Sequence, residues 1–154
     1  MSMIKSVLLG LLLTGISLFA TEQKVVYDLT TGSPDLLEKG LIRSIDGLVD
    51  YYDTNKIDYK IVVVISGKAY KYFVADLKAS PYRGKMKVSR AQKRLAPKLQ
   101  KLSAAGVEFE MCKAGMEALD INPSTLYPYV KAELNKSVSL VKFQNEGYAY
   151  LPVH

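Results

Sequence analysis

The sequence predicts an α/β domain in which helices cover both faces of a mostly parallel, five-stranded sheet. Segments with strand patterns and segments with helical patterns alternate about five times along the chain. One strand segment, Ile61 to Ile65, is an unbroken run of β-branched residues, which is typical of a strand covered on both sides. The chain has a single cysteine, Cys112, so no internal disulfide can hold the fold together.

Residues 1–20 have the layout of a secretory signal peptide. Lys5 precedes an apolar run from Ser6 to Phe19, and Ala20 offers a small residue for cleavage. The run is shorter than the roughly 20 residues that are needed to span a bilayer. We therefore expect export, to the periplasm or otherwise out of the cytoplasm, and no stable membrane span after cleavage. The remaining residues, 21–154, are enough for a single domain with its own core.

The mature chain begins with two predicted strand–helix pairs. Lys24 to Leu29 has a strand pattern, and Ser33 and Pro34 then supply the N-cap and the first position of a helix that ends at Asn55. One face of this helix is apolar, as in helices that pack on a core. The β-branched run described above forms the second strand, and we expect a further helix from Lys68 to Leu77.

A strongly basic segment follows, from Lys78 to Lys101, with nine basic residues and no acidic one. Pro81 and Gly84 predict a loop at its start, and periodic leucines then predict a helix with Pro97 in its early turns. A nucleic-acid patch is one interpretation, but exported proteins seldom meet nucleic acid, so we expect no nucleic-acid partner. We favour a solvated helix face, opposite an acidic partner or lipid headgroups.

The next segment carries the cysteine. Val107 to Met111 alternates apolar and acidic residues as a strand does, and Lys113 to Leu119 has the pattern of a short helix. Cys112 is therefore expected where a strand gives way to a helix. Unpaired N–H groups and the positive end of the helix dipole favour a thiolate at such a position, and Lys113 adds a positive charge.

Two interpretations of Cys112 stay open at this point. Free cysteines often behave as small buried hydrophobes, and the residue then has only a packing role. Against this, the carboxyl end of a strand is where open α/β sheets place their ligands. An unpaired cysteine in an exported chain also suggests a reactive thiol or an intermolecular disulfide.

The last part of the chain completes the alternation of strands and helices. A turn around Pro123 precedes a predicted strand from Tyr129 to Leu134. A helix from Ser137 to Glu146 follows, which Gly147 ends. The segment from Tyr148 to Val153 is predicted as the last strand.

Several kinds of chemistry are excluded by what the sequence lacks. The only histidine is the last residue, His154, which argues against His-based triads and ordinary zinc sites. The chain has no P-loop and no glycine-rich dinucleotide motif. We therefore expect neither a cofactor nor a metal ion. The loop from Thr30 to Ser33 offers N–H groups to an anion, although such loops also occur simply as helix caps.

Two motifs resemble the DsrE/DsrF-like family. They are Gly-Val-Glu-Phe-Glu-Met-Cys, from Gly106 to Cys112, and the closing Gly147-Tyr-Ala-Tyr150. The order of elements agrees from about Val25 to Val153. The resemblance implies a flavodoxin-like, three-layer domain that assembles into homotrimers or homohexamers. It also implies a persulfide on Cys112, because sulfur-relay members of the family carry sulfur on the matching cysteine. Those members are cytoplasmic, whereas this chain has the signature of export.

The leading hypothesis is an exported sulfur carrier in which Cys112 exchanges sulfane sulfur with a donor or acceptor protein. In this hypothesis Lys113 holds the anion and two strand-end loops line the pocket. The loop residues are Thr30, Thr31, Ser66 and Gly67. The main alternative is a non-catalytic oligomeric binding or assembly module with a buried structural cysteine. A third hypothesis is redox sensing through intermolecular disulfides.

Overall fold

The structure of the chain is a computed structural model that describes residues 21–133 and 135–154. The predicted signal peptide, residues 1–20, lies outside the described residues. In the part of the chain that is described, no helix is both long enough and apolar enough to cross a membrane.

Five parallel strands form one sheet, which confirms the predicted fold class. The strands are β1 (Gln23–Leu29), β2 (Tyr59–Ile65), β3 (Glu108–Cys112), β4 (Val130–Glu133) and β5 (Ala149–Val153). Their order across the sheet is β4-β3-β2-β1-β5, and every neighbouring pair is parallel. All five carboxyl ends therefore meet at one edge of the sheet, the edge at which such folds bind ligands.

Helices cover both faces of the sheet. Helix α1 runs through Pro34–Leu36, Leu37–Ile42 and Arg43–Asn55, and together with α2 (Met86–Ala104) it packs on one face in the larger core cluster. The short helix α3 (Lys113–Ala118) directly follows β3, and α4 (Lys136–Asn145) packs on the other face. The smaller cluster under α4 consists of Val26, Val62, Val64, Leu140 and Phe143.

The first helix begins and ends as the sequence predicts. Ser33 is its N-cap, and its Oγ accepts a hydrogen bond from the Leu36 N–H at 3.3 Å, with Pro34 in the first turn. The middle part of the helix is π-helical. The helix ends at Asn55, after which Lys56 adopts a left-handed conformation with φ 54°.

The prediction of a helix from Lys68 to Leu77 is wrong. The chain forms a 3₁₀-helix over Gly67–Tyr72 and then an isolated bridge in which Val74 pairs with Leu126. The cause is burial. From Ala69 to Val74 every residue except Lys71 is buried, so the segment has no polar face that a surface helix could turn to solvent.

The predicted start of α2 is also wrong. The helix begins at Met86, so Pro97 lies well inside it rather than in its early turns. Before Leu95 the helix buries only Gln92, whose side-chain amide donates to the Val74 carbonyl. The apolar period that signals a helix is therefore missing from its first two turns, and the leucines mark only the later part.

Three of the nine basic residues in the segment from Lys78 to Lys101 pair with acidic residues of the chain itself. The basic partners lie on α2 and the acidic ones on α1. The pairs are Arg94 with Asp35 and Glu38 (2.9 Å each), Lys98 with Glu38, and Lys101 with Asp46 (3.2 Å). We call these six side chains the ion-pair seam. The hydrogen bond from Lys98 holds the pKa of Glu38 below its ordinary value. The acidic groups that face these three cations therefore belong to helix α1 of the same chain.

Candidate functional site

Cys112 is the last residue of β3 and the N-cap of α3, which is where the sequence predicts it. Its backbone is extended, with φ −62° and ψ 109°, and the helix begins at the next residue. The residue is 9% exposed. The cysteine thus lies at the carboxyl edge of the sheet, on the border between the core and that edge.

Hydrogen-bond donors from three segments face the thiol. Two are the N–H groups of Ala114 and Gly115 in the first turn of α3, and a third is the Lys136 N–H at the start of α4. The fourth is the Tyr70 hydroxyl, whose single hydrogen serves either the sulfur or the Cys112 carbonyl oxygen. Burial raises the pKa of the Cys112 thiol, but these donors together outweigh burial and hold that pKa below its ordinary value. The thiol makes no capping hydrogen bond within α3, so the donors stabilise the thiolate as oriented dipoles.

Tyr70 contacts the cysteine through its hydroxyl. The hydroxyl donates to the Cys112 carbonyl oxygen at 3.0 Å, and the residue is almost fully buried. Burial, followed by the contact with Cys112, raises the pKa of Tyr70, so the phenol stays protonated and remains a donor. A side chain at Gly115 would collide with this hydroxyl. The glycine is therefore what allows Tyr70 to approach the cysteine.

A buried ion pair fixes the start of α4 beside the thiol. Lys136 Nζ lies 2.8 Å from Asp28 Oδ1, although without hydrogen-bond geometry, and the Tyr150 hydroxyl donates to Asp28 Oδ2 at 2.9 Å. Asp28 is 3% exposed. Lys136 offers its backbone N–H to the thiol and its ammonium to Asp28, so it connects β1 to the cysteine. Tyr150, from the closing Gly-Tyr motif, contacts the same carboxylate.

The register of the sheet brings the predicted loop residues to the level of the cysteine. The ends of β1, β2 and β3 are aligned, so the residues at the carboxyl edge lie side by side on adjacent strands. These residues are Thr30, Ser66 and Cys112. Neighbouring strands are about 4.8 Å apart. The sequence-predicted pocket residues thus share one edge with the thiol.

The two predicted loops contact each other closely. The Lys68 N–H donates to the Thr30 carbonyl at 3.2 Å, and Gly67, in the left-handed region at φ 60°, packs on Thr30. The N–H groups of Thr30 and Thr31 both donate to the Val153 carbonyl, at 2.9 and 3.3 Å. These N–H groups are therefore occupied within the chain, and of the two interpretations of this loop the structural one fits better.

Lys113, which the sequence predicts to hold the anion, is half exposed, and its Nζ lies 4.0 Å from Glu117 Oε1. Other residues at the site could not be predicted from the sequence. No recognisable pattern marks Gly115, Lys136 or the contact of Tyr70. Asp28 did carry a signal, because a carboxylate between two apolar residues of a buried strand needs a partner. Within residues 21–133 and 135–154, no three His, Cys, Asp or Glu side chains are grouped so that they could hold a metal ion.

The fold and the site define an α/β protein with an all-parallel five-stranded sheet and one cysteine at the carboxyl end of its third strand. The sequence matches the DsrE/DsrF-like family over residues 25–153. The chain therefore belongs to this family, as its cysteine and Gly-Tyr motifs imply.

One similar sequence is an uncharacterized protein from Aquifex aeolicus (strain VF5), which is 27% identical over 137 residues and 89% of this chain. The chain spans 59% of the length of that relative. Two solved structures are also similar, the protein of unknown function MTH1491 from Methanobacterium thermoautotrophicum (TM-score 0.67, 18% identity) and the conserved protein of unknown function BT1422 from Bacteroides thetaiotaomicron (TM-score 0.58, 15% identity). The matches cover 85% and 88% of this chain, and 99% and 98% of theirs. At these identities the likeness establishes the fold.

Proposed function

We propose that this protein is an exported member of the DsrE/DsrF-like family that accepts sulfane sulfur on Cys112 as a persulfide and passes it on. The observation that carries the proposal is the position of the only cysteine, which ends β3 and caps α3 at the carboxyl edge of the sheet. The donors that face its thiol there lower the pKa of the thiol in spite of its burial. The thiolate is the nucleophile in sulfur exchange, so a site that stabilises it favours the reaction.

Both exchange steps balance without an external oxidant or reductant. In the first, the Cys112 thiolate attacks the terminal sulfur of a persulfide donor, R–S–SH. A bond forms between the two sulfur atoms, the S–S bond of the donor breaks, and the donor leaves as R–S⁻. In the second, an acceptor thiolate attacks the terminal sulfur of the Cys112 persulfide, and Cys112 leaves as a thiolate. Because thiols of low pKa leave faster, the same donors assist this departure.

The other predicted residues have supporting roles in this proposal. Thr30, Thr31, Ser66 and Gly67 lie along the edge that a donor must approach, and Lys113 adds a positive charge beside the cysteine. The donor or acceptor is expected to be a protein that presents its own thiol at this edge.

Intact-mass measurement after incubation with polysulfide tests the proposal directly. We expect the wild type to gain sulfur, and the gain to be removed by a reductant. Cys112→Ser should gain none, and because Cys112 is the only cysteine, any sulfur on the wild type is located without further mapping. A wild type that gains no sulfur, while the reagent modifies a free thiol in the same tube, would contradict the proposal.

A non-catalytic assembly module with a structural cysteine is the second candidate, and the small exposure of Cys112 favours it. The rate of labelling by a thiol reagent separates the two. In the assembly module the folded protein resists the reagent and the unfolded chain reacts. In a sulfur carrier the folded protein reacts at a rate that rises with pH through the lowered pKa of the thiol.

We also propose that the protein assembles into homotrimers or homohexamers. The support is an apolar surface on the face of the sheet that only α4 covers, where Val138 and Val141 of α4 are 61% and 57% exposed and Tyr150 of β5, which pairs with Val26 of the smaller cluster, is 37% exposed. Side chains of this kind commonly mark subunit contacts. Light scattering on the purified protein gives the subunit number, and a Val141→Glu variant is expected to lower it. A monomeric wild type would contradict the assembly.

A further inference from the structure

A cavity of about 290 Å³ opens beside the 3₁₀-helix that carries Tyr70. Three lysines contribute to its walls, together with one aromatic, two aliphatic residues and a glycine. The lining residues are Gly67, Lys68, Lys71, Tyr82, Lys85, Val88 and Leu119. We call this site the lysine cavity. Two of its lysines come from the 3₁₀-helix and one from the N-cap position of α2.

The lysines of the cavity have no anionic partner in the described part of the chain. None of them takes part in the ion pairs found among residues 21–133 and 135–154. No acidic side chain lines the cavity. Helix α2 also begins here without a side-chain cap and without an acidic residue in its first turn, so its dipole adds to the positive potential.

Packing holds these cations in place. Lys68 and Lys71 lie across Gly32, where an added Cβ would be 2.9 Å from Lys68 Cβ and 3.3 Å from Lys71 Nζ. Lys71 Nζ lies 5.0 Å from the centre of the Tyr72 ring, and Lys85 Nζ lies 5.6 Å from that of Tyr82. The lysine side chains are thus positioned around the cavity by contacts with Gly32 and with the two tyrosine rings.

Lys71 distinguishes this site from an ordinary basic surface. A surface lysine extends into water away from like charges, but Lys71 is half-buried. Burial lowers its pKa, and the charges of Lys68 and Lys85 lower it further. The fold therefore keeps three cations together where their mutual repulsion is not offset by any carboxylate of the described residues. An anion in the cavity would remove that repulsion.

We propose that the lysine cavity binds a small tetrahedral oxyanion with two negative charges, of the sulfate, thiosulfate or phosphate type. Lysine ammonium groups are point-charge donors that suit such anions. The volume of the cavity, about 290 Å³, is close to the lower limit of about 300 Å³ for small-ligand pockets, and it has room for the anion and its remaining water. This binding does not depend on chemistry at Cys112.

Isothermal titration at fixed ionic strength, with chloride as the balancing ion, tests the proposal on the full-length protein. We expect saturable binding of one dianion per chain. The Lys71→Gln and Lys85→Gln variants should bind at least tenfold more weakly. Lys93→Gln is the matched control, because Lys93 is an exposed residue of α2 outside the cavity and its replacement removes the same charge. Its affinity should stay within twofold of the wild type.

Two outcomes would overturn the proposal. One is the absence of saturable binding for all three anions in the millimolar range. The other is equal weakening by Lys93→Gln and Lys71→Gln, which would show that only net charge matters. Comparing the anions identifies the source: preference for thiosulfate indicates a sulfur oxyanion, and equal affinity for phosphate indicates general recognition of tetrahedral dianions.

The same titration separates this proposal from the sulfur-carrier function. Sulfate and phosphate have no sulfane sulfur to transfer, so their binding tests the cavity alone. Cys112→Ser is expected to bind them as the wild type does. If the wild type binds sulfate but gains no sulfur from polysulfide, the cavity proposal stands and the carrier proposal fails. If it gains sulfur but binds no dianion, the reverse holds.

Discussion

The ion-pair seam and the lysine cavity are both built from basic side chains of adjoining segments, yet they differ in what faces each charge. In the seam the cations of α2 lie against carboxylates of α1, at distances of 2.9 to 3.2 Å for three of the four contacts. In the cavity three ammonium groups share one space without a carboxylate among the lining residues. The seam therefore helps to dock two helices, whereas the cavity holds charge that the fold does not use. Unused charge of this kind is the better indicator of a ligand.

A third kind of cation is Lys136, whose partner Asp28 is buried. Breaking this pair is expected to have the largest effect on stability. Asp28→Asn keeps the size of the side chain but leaves the Lys136 ammonium without its counter-charge. We expect a loss of roughly 2–3 kcal/mol in the free energy of unfolding, less than for a fully enclosed pair because the Lys136 side chain is 29% exposed. The start of α4 should also move from the cysteine, and the thiol pKa should rise. Chemical denaturation and the pH dependence of thiol labelling measure the two effects.

Glu108→Gln is the matched control for this prediction. Glu108 also pairs with a lysine, Lys131, at 3.1 Å, but both side chains are more than half exposed. Its replacement should change the stability by a few tenths of a kcal/mol at most. If Asp28→Asn lowers the stability and leaves the thiol pKa unchanged, the buried pair is structural and does not position α4 at the cysteine.

The cysteine reverses the comparison, because here donors surround a group that becomes an anion. Tyr70→Phe removes one of the donors that lower the pKa of Cys112. We expect the thiol pKa to rise and labelling at neutral pH to slow severalfold, since the thiolate is the reactive form. Tyr72→Phe serves as the control, because the Tyr72 hydroxyl donates to the Gly32 carbonyl and not to the cysteine. Faster labelling in Tyr70→Phe would show that Tyr70 acts by shielding the thiol.

These contrasts explain why the sequence predicted the architecture but only part of the site. Strands and the junction at Cys112 are local patterns, because apolar alternation and a single cysteine can be read within ten residues. Tyr70 and Lys136 reach the thiol from 3₁₀ and helical segments that lie far from it along the chain. The helix predicted from Lys68 was wrong for a related reason, since tertiary burial on all sides replaced the amphipathic pattern. Which cations of the basic segment form ion pairs likewise depends on acidic residues about 55 to 60 positions earlier in the chain.

Within the seam, Glu38 is the residue whose loss should matter most, because it contacts both Arg94 and Lys98. Glu38→Gln is expected to lower the free energy of unfolding by about 1 kcal/mol or less, as is usual for partly exposed pairs, and added salt should reduce the difference. The pKa of Glu38 is lowered in the folded protein. The difference between wild type and variant should therefore be complete above the unfolded pKa of about 4.3 and vanish as the pH falls through the folded pKa. A difference that persists in strong acid would mean that the pairs are not its cause.

Lys71→Gln in the cavity is expected to have the smallest effect on the free protein, and with the opposite sign to the seam. Because the pKa of Lys71 is lowered on folding, its charge opposes the folded state at neutral pH, and this opposition fades as the pH rises through the lowered pKa. The variant should therefore be equal to the wild type or more stable by about 0.3 kcal/mol, a size typical of exposed charge interactions. Sulfate at ten times its dissociation constant should then stabilise the wild type by about 1.4 kcal/mol and the variant by much less. With sulfate the variant would therefore be the less stable protein, and thermal unfolding with and without sulfate measures the change. If Lys71→Gln is less stable under both conditions, the lysine has a structural partner and the contrast with the seam fails.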